Sequence, residues 1–292
     1  CVPGPATPWS AAGAPGGVFE TTDSGTSGHS IGNNLTVQCT GTVGYTKAGG
    51  GTLVVGTGDP AFGGTSTSGL GAFWTTNAGK TWNKSKGVPD GTISFQLAVD
   101  PTNNSRVYLA TGKGLDRSTD AGRSVTNVVL PTTCTALKQP TCFFANIVTD
   151  VVVRANDKNG TGGGKVLAAV GWRAGLKLNA EKKPQSPRNG LYSSDTGAPG
   201  SFTFLGGPNG FAAQSRIGRT TMSAATGADQ NHNYVFALVQ DSDKFNQART
   251  ADGGVPEPGA LPAKAPGNTV FNGVYGSTDF GKNWTKLADS AQ

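Results

Sequence analysis

One phrase is written five times along this chain, and no other feature limits its fold as tightly. The fullest copy reads Gly273-Val274-Tyr275-Gly276-Ser277-Thr278-Asp279-Phe280-Gly281-Lys282-Asn283-Trp284. Another full copy, Gly71-Ala72-Phe73-Trp74-Thr75-Thr76-Asn77-Ala78-Gly79-Lys80-Thr81-Trp82, has Asn77 in place of the acid. Shorter copies run Gly17 to Gly25 around Asp23, Gly114 to Gly122 around Asp120, and Gly190 to Gly197 around Asp195. The shared pattern is a short apolar strand followed by Ser/Thr-x-Asp-x-Gly-x-x-Trp. Val125 stands in the Trp position of the third copy, and Phe202 arrives late in the fourth.

Such a unit is a β-hairpin. The hydroxyl and carboxylate bond backbone N–H groups of the turn, Gly supplies a positive φ, and the returning aromatic packs over the turn. Asp23, Asn77, Asp120, Asp195 and Asp279 are therefore expected to be structural, and Trp82 and Trp284 to lie in the core.

The pattern resembles the Asp-box, or BNR, repeat of sialidase-type, sortilin-type and xyloglucanase-type β-propellers. The resemblance implies an all-β chain of four-stranded antiparallel blades carrying Asp-box hairpins. It implies little about activity, because the group spans hydrolases, receptors and scaffolds. Composition agrees with many short strands joined by turns: Gly is 45 of 292 residues and charged residues are only 14%. No sustained helical period is present.

Four of the five copies follow candidate strands: Thr52 to Thr57, then Ile93 to Val99 with Arg106 to Thr111, Ile147 to Arg154 with Lys165 to Gly171, and Thr220 to Ala224 with Tyr234 to Gln240. The expected organisation is a Pro/Gly-rich extended arm at 1–16, a partial first blade at 17–51, and blades at 52–91, 92–145, 146–210 and 211–292. Four modules and a half close awkwardly into a ring. The chain is thus expected to be part of a larger ring of six to eight blades, with further blades or a second fragment of the same protein completing it. An unusual five-bladed ring is the alternative.

Insertions at Gly58 to Gly69, Arg173 to Asn189 and Asp241 to Asn272 all fall between the second and third strands of their blades, so they should emerge on one face. That face is the expected binding surface. A further insertion, Leu130 to Ala145, holds Cys134 and Cys142, whose spacing suits a local disulfide; Cys1 has Cys39 as its possible partner. An even cysteine count points to an oxidising, extracellular or cell-surface setting, the periplasm included. A lipid anchor on Cys1 is the alternative to a disulfide. No apolar run approaches the roughly 20 residues needed to span a bilayer.

Formal net charge is +6, yet the basic residues are scattered and no basic run interleaves with aromatics, which argues against nucleic acid. His29 and His232 are the only histidines and neither sits at metal-site spacing from a cysteine, so no metal and no cofactor is expected. The resemblance to sialidases fails at the residues. Ser215-Arg216-Ile217-Gly218 lacks the Pro of their Arg-Ile-Pro element and comes too late in the chain.

An inverting glycosidase of the xyloglucanase-like type needs two carboxyls about 6.5–9.5 Å apart. Asp59, Asp150, Asp241 and Asp243 lie outside the boxes, and Asp59 and Asp241 occupy equivalent places at the insertion face, which makes them the candidate catalytic pair. Trp172, Arg173 and Asp243 are the candidate ligand-binding residues of the loops. The leading expectation is a non-catalytic secreted or surface propeller that binds a glycan or an extracellular protein through the loop face. A glycoside hydrolase is the alternative, and a structural subunit assembled through the N-terminal arm is a third.

Overall fold

Strands account for the regular structure of this chain because β-branched and aromatic residues recur in short runs that Gly-containing turns interrupt. The computed structural model describes residues 16–60, 67–132, 146–171, 188–242 and 271–289, and the backbone of 9–13. Two compact units divide the chain, Cys1–Val128 and Val129–Gln292, and each is taken by itself.

Among the described residues, the first unit holds three sheets and the second two. One is three-stranded, β1 (Trp9–Gly13), β2 (Gly17–Thr21) and β3 (His29–Ser30). The next has β4 (Thr40–Thr46), β5 (Thr52–Thr57), β6 (Ala72–Thr75) and β7 (Asn83–Lys84), and the third has β8 (Ser94–Val99), β9 (Val107–Thr111), β10 (Gly114–Ser118) and β11 (Thr126–Asn127). The second unit holds two sheets: β12 (Val148–Val153), β13 (Val166–Val170), β14 (Gly190–Ser194) and β15 (Thr203–Gly206), then β16 (Ile217–Ala224), β17 (Val235–Asp241), β18 (Phe271–Ser277) and β19 (Thr285–Asp289). Every sheet is antiparallel and ordered as the chain runs, which is the topology of propeller blades.

Two boundaries differ from the sequence reading. Trp9–Gly13, expected in the extended arm, pairs with Gly17–Thr21 as the first strand of its sheet. The second sheet opens at Thr40, not at Thr52, because Thr40–Thr46 pairs with Thr52–Thr57. Gly41 and Gly44 weaken the strand signal there; Gly41 is required by backbone, since a Cβ on it would lie 2.1 Å from Ser94 O, whereas one on Gly44 would meet the tip of the Leu97 side chain at 2.2 Å.

Sheets pack face to face through alternating strand residues. In the second unit Val152, Leu167, Ala169 and Leu191 of one sheet meet Met222, Val235, Ala237 and Tyr275 of the next in one apolar cluster. In the first unit, Val18 and Ile31 meet Leu53, Val55 and Phe73, while Val54 on the opposite face of β5 packs with Leu97, Val107 and Leu109. First strands are neighbours, β1 beside β4, β4 beside β8, and β12 beside β16.

Four hairpin turns share one hydrogen-bond design. In the third sheet Ser118 Oγ accepts the Gly122 N–H at 2.8 Å and donates to Asp120 Oδ1 at 2.7 Å, and Asp120 Oδ1 accepts the Ser124 N–H at 2.9 Å. Thr21 with Asp23, Thr75 with Asn77, and Ser277 with Asp279 repeat it. The turn needs two successive positive-φ residues rather than one: Ser24, Ala78, Ala121 and Phe280 precede Gly25, Gly79, Gly122 and Gly281. Trp284 is buried, its indole donating to Gly281 O at 3.0 Å; Trp82 is partly buried and donates to Ile31 O at 3.0 Å.

The fourth copy departs from this design, and the structural role expected of Asp195 is corrected accordingly. Ser194 takes the anchoring place, accepting the N–H groups of Thr196 and Gly197 at 3.1 and 2.8 Å. Gly follows the anchor by three positions instead of four, which turns Asp195 outward, its side chain 82% exposed and 3.3 Å from Lys165 Nζ.

Candidate functional site

A β-bulge falls at one equivalent place in every four-stranded sheet. Register slips between Thr40 and Thr42, between Ser94 and Gln96, between Val148 and Asp150, and between Ile217 and Thr220. Each slip faces the end of the second strand, the end from which the inserted loops leave in three of the four sheets and a two-residue turn leaves in the third sheet. Bulges re-aim side chains and concentrate beside binding sites.

In the first unit this end carries Asp59 just beyond β5. Gly58 N–H donates to Cys39 O at 2.9 Å, and Asp59 N–H to Thr67 O at 2.9 Å, closing the loop neck. The Cys39 thiol is buried and free in the structure, 4.0 Å from Thr67 O. Burial, helped by the nearby Asp59 charge, pushes that thiol above its ordinary range.

The same end of the second unit is more elaborate. Asp241, on the last residue of β17, is fully buried, and Arg216 grips one of its oxygens through both Nε, at 2.8 Å, and the terminal guanidinium nitrogen. Asn272 Nδ2 donates to the same oxygen at 2.9 Å, and Tyr275 donates to Asn272 Oδ1 at 2.6 Å. The Arg216 side chain remains 40% exposed. Asn189, beside β14, donates to Ile217 O at 2.8 Å, while among the described residues its buried Oδ1 meets no donor, and neither does the buried Gln240 Oε1. Leaving a buried acceptor unsatisfied costs about 1–3 kcal/mol.

Asp150 sits just past the β12 bulge. Its two oxygens accept the N–H groups of Val151 and Met222 at 2.7 and 2.8 Å. Burial dominates these donors and the Arg219 charge, and pushes the carboxyl up to about 7. Asp116, on β10, is raised to about 6 by burial, opposed by Asn127.

Asp59 and Asp241 thus occupy the expected strand ends, each in its own unit. Trp172, Arg173, Asp243, Cys1, Cys134 and Cys142 lie outside the described residues. Arg216, Asn189 and Gln240 were not expected at the site. They lie 24 to 51 residues apart in sequence, and only the bulge at Ile217 marks their place, a feature periodicity does not reveal. Among the described residues no three of His, Cys, Asp and Glu are grouped to hold a metal ion, and no helix is long and apolar enough to cross a membrane.

The fold and this end of its sheets define the class of protein: an all-β chain built of propeller blades. Among solved structures, the chain is similar to an ancestral GH74 enzyme, at 15% identity over 99% of this chain and 32% of that one, with a TM-score of 0.58. It is also similar to the GH74 xyloglucanase from Xanthomonas campestris, at 16% identity over 96% of this chain and 43% of that one, with a TM-score of 0.50. The chain therefore spans less than half the length of either enzyme, and at such identity the likeness is one of fold. No protein-family model and no curated protein matches it.

Proposed function

We propose that this chain is an extracytoplasmic Asp-box propeller, or a portion of one, that binds a neutral glycan without cleaving it, through the end from which the second-to-third-strand loops emerge. The observation that carries this reading is that the buried side-chain carbonyls of Asn189 and Gln240, at the same end of the sheets as the half-exposed Arg216, meet no donor among the described residues. Sugar hydroxyls are donors of the size and number such acceptors lack. The carboxylate of Asp241 is committed to Arg216 and Asn272, which makes it a positioning group for the guanidinium rather than a proton carrier. The boxes centred on Asp23, Asn77, Asp120 and Asp279 are scaffold in this reading, and pairing of Cys134 with Cys142, and of Cys1 with Cys39, belongs to the exported form.

Calorimetry with β-glucan and xyloglucan oligosaccharides, run beside a reducing-end assay, tests this. Saturable binding without new reducing ends is expected, with affinity falling at least roughly tenfold in Asn189→Leu and Gln240→Leu. Absence of binding to any neutral glycan would overturn it. Hydrolysis is the second reading, favoured by one feature: burial raises the Asp150 carboxyl to about 7, the range a general acid works in. Release of reducing ends that Asp150→Asn or Asp59→Asn abolishes would establish that reading instead.

A further inference from the structure

The third strand of each four-stranded sheet carries one residue two places before the hydroxyl that anchors its hairpin turn. It is Phe73 in the second sheet, Asp116 in the third, and tyrosine in both sheets of the second unit, Tyr192 and Tyr275. All four are buried. Both tyrosine rings rest on aromatic neighbours, Tyr192 on Phe204 with 5.0 Å between centroids and Tyr275 on Phe211 with 4.8 Å. Each hydroxyl points back along its own chain, to the residues by which the preceding insertion returns to the sheet: Tyr192 donates to Arg188 O at 2.7 Å, and Tyr275 to Asn272 Oδ1 at 2.6 Å. The insertion ahead of Phe73, which has no hydroxyl, is closed by backbone bonds instead, from Asp59 N–H to Thr67 O and from Gly69 N–H to Thr92 O.

Both hydroxyls act on groups at the loop end. The Asp241 carboxylate only accepts, so the Asn272 amide turns Nδ2 to Asp241 and Oδ1 to Tyr275, and the phenol is the donor that fixes this orientation. Asp241 in turn holds Arg216 Nε at 2.8 Å. A chain of hydrogen bonds, Tyr275–Asn272–Asp241–Arg216, thus runs from the apolar core to a guanidinium whose side chain is 40% exposed. The second chain is shorter. Tyr192 holds the Arg188 carbonyl, and the Arg188 guanidinium lies 5.2 Å from the Phe204 ring centre and donates to Pro131 O at 3.1 Å. Pinned at both its carbonyl and its guanidinium, Arg188 fixes the start of Asn189, whose Nδ2 donates to Ile217 O at 2.8 Å.

We infer that the hydroxyls of Tyr192 and Tyr275 are positioning groups for the loop-end site, Tyr275 setting Arg216 through Asn272 and Asp241, and Tyr192 setting Asn189 through Arg188. The inference rests on the reading that this end of the second unit binds a glycan. Both tyrosines are buried, so they act through the loop ends rather than on the ligand. Packing does not require their oxygens, because phenylalanine fills the same place at Phe73.

Tyr275→Phe and Tyr192→Phe remove only the oxygens and test this. Proton–nitrogen correlation spectra of isotopically labelled protein report the Arg216 Nε–H signal, assigned by its loss in Arg216→Lys, and the Asn189 side-chain amide, assigned by its loss in Asn189→Leu. Tyr275→Phe should shift the Arg216 signal and hasten its exchange with solvent while leaving Asn189 in place, and Tyr192→Phe should do the reverse. Each should weaken binding of xyloglucan oligosaccharides roughly tenfold. In Asn272→Ala the connection is already cut, so adding Tyr275→Phe should move the Arg216 signal no further. An unmoved Arg216 signal in Tyr275→Phe, or an additive second shift in the Asn272→Ala background, would overturn the role of Tyr275, and an unmoved Asn189 amide that of Tyr192. A lower melting temperature with both signals unmoved means that the hydroxyls only hold the fold, which overturns both. Unchanged affinity in both variants, beside a wild type that binds, overturns them as well. A wild type that binds no neutral glycan sinks the glycan reading instead, and the spectra then decide on their own whether the two hydroxyls set Arg216 and Asn189.

Discussion

Asp150 Oδ2 accepts the Met222 backbone N–H at 2.8 Å, binding the first strands of two adjoining sheets across their seam. Thr149 Oγ1 reinforces it, donating to Thr220 O at 3.0 Å and accepting Thr220 N–H at 3.2 Å. The bulge in each strand exposes the backbone groups that these side chains satisfy, which is why a Thr-Asp pair stands in the otherwise apolar run Val148 to Val153.

Stability should therefore fall between acid and neutral pH. Asp150 and Asp116, raised by burial to about 7 and about 6 against the ordinary 3.8, hold protons in the folded chain that the unfolded chain has released. Their contribution is full below about pH 4 and is lost as pH rises through those folded values. Asp23, lowered to about 2 by the Ser27 hydroxyl and N–H and by the Thr21 hydroxyl, acts oppositely, its contribution fading as pH drops below 3.8. Thermal melts should give a maximum near pH 4 and a decline from there to about pH 7, which Asp150→Asn should flatten. An unchanged slope in that variant would remove Asp150 as its cause.

At the hairpin turns, removing the anchor and relieving the backbone should have opposite signs. Ser118→Ala strips the buried Gly122 N–H of its acceptor and should destabilise by about 1–3 kcal/mol. Ala78, at φ 54 on an exposed turn, carries the left-handed penalty of a non-Gly residue, so Ala78→Gly should stabilise by up to about 1 kcal/mol. Urea midpoints decide both, and equal signs would mean that the turn is not set by these groups.

The fourth copy shows where reading by letters stops. Five copies of the phrase were enough to give the all-β class, because each carries its own turn chemistry within a dozen residues. Spacing between anchor and Gly is set by the backbone, however, and one missing residue turned Asp195 outward while leaving the letters Ser-Ser-Asp-Thr-Gly intact. Ser194→Ala should cost about 1–3 kcal/mol, whereas Asp195→Ala, which breaks only a surface pair with Lys165, should change stability by less than about 1 kcal/mol. A larger loss for Asp195 than for Ser194 would restore the expected box.

The site was less legible than the fold for a related reason. Strand ends and inserted loops are visible in sequence, which is how Asp59, just beyond β5, and Asp241, the last residue of β17, could be picked out as candidates. Their partners are set by pairing across a sheet. Arg216 precedes Asp241 by 25 residues, and the two meet because Ile217 pairs with Asp241. Composition carries no trace of that contact.

Breaking this pair yields the remaining prediction. Arg216→Met leaves the fully buried Asp241 carboxylate without its guanidinium, and removal of one partner from a buried pair costs about 3–5 kcal/mol. The loss should lie near the lower bound, because the Arg216 side chain is 40% exposed and water already screens part of the attraction. Adding Asp241→Leu to Arg216→Met should recover much of the stability, since an apolar pair of similar volume removes the stranded charge. Glycan affinity should not return with it, because the half-exposed cation is still missing. Recovery of both in the double variant would show that Arg216 acts on the ligand only through the fold.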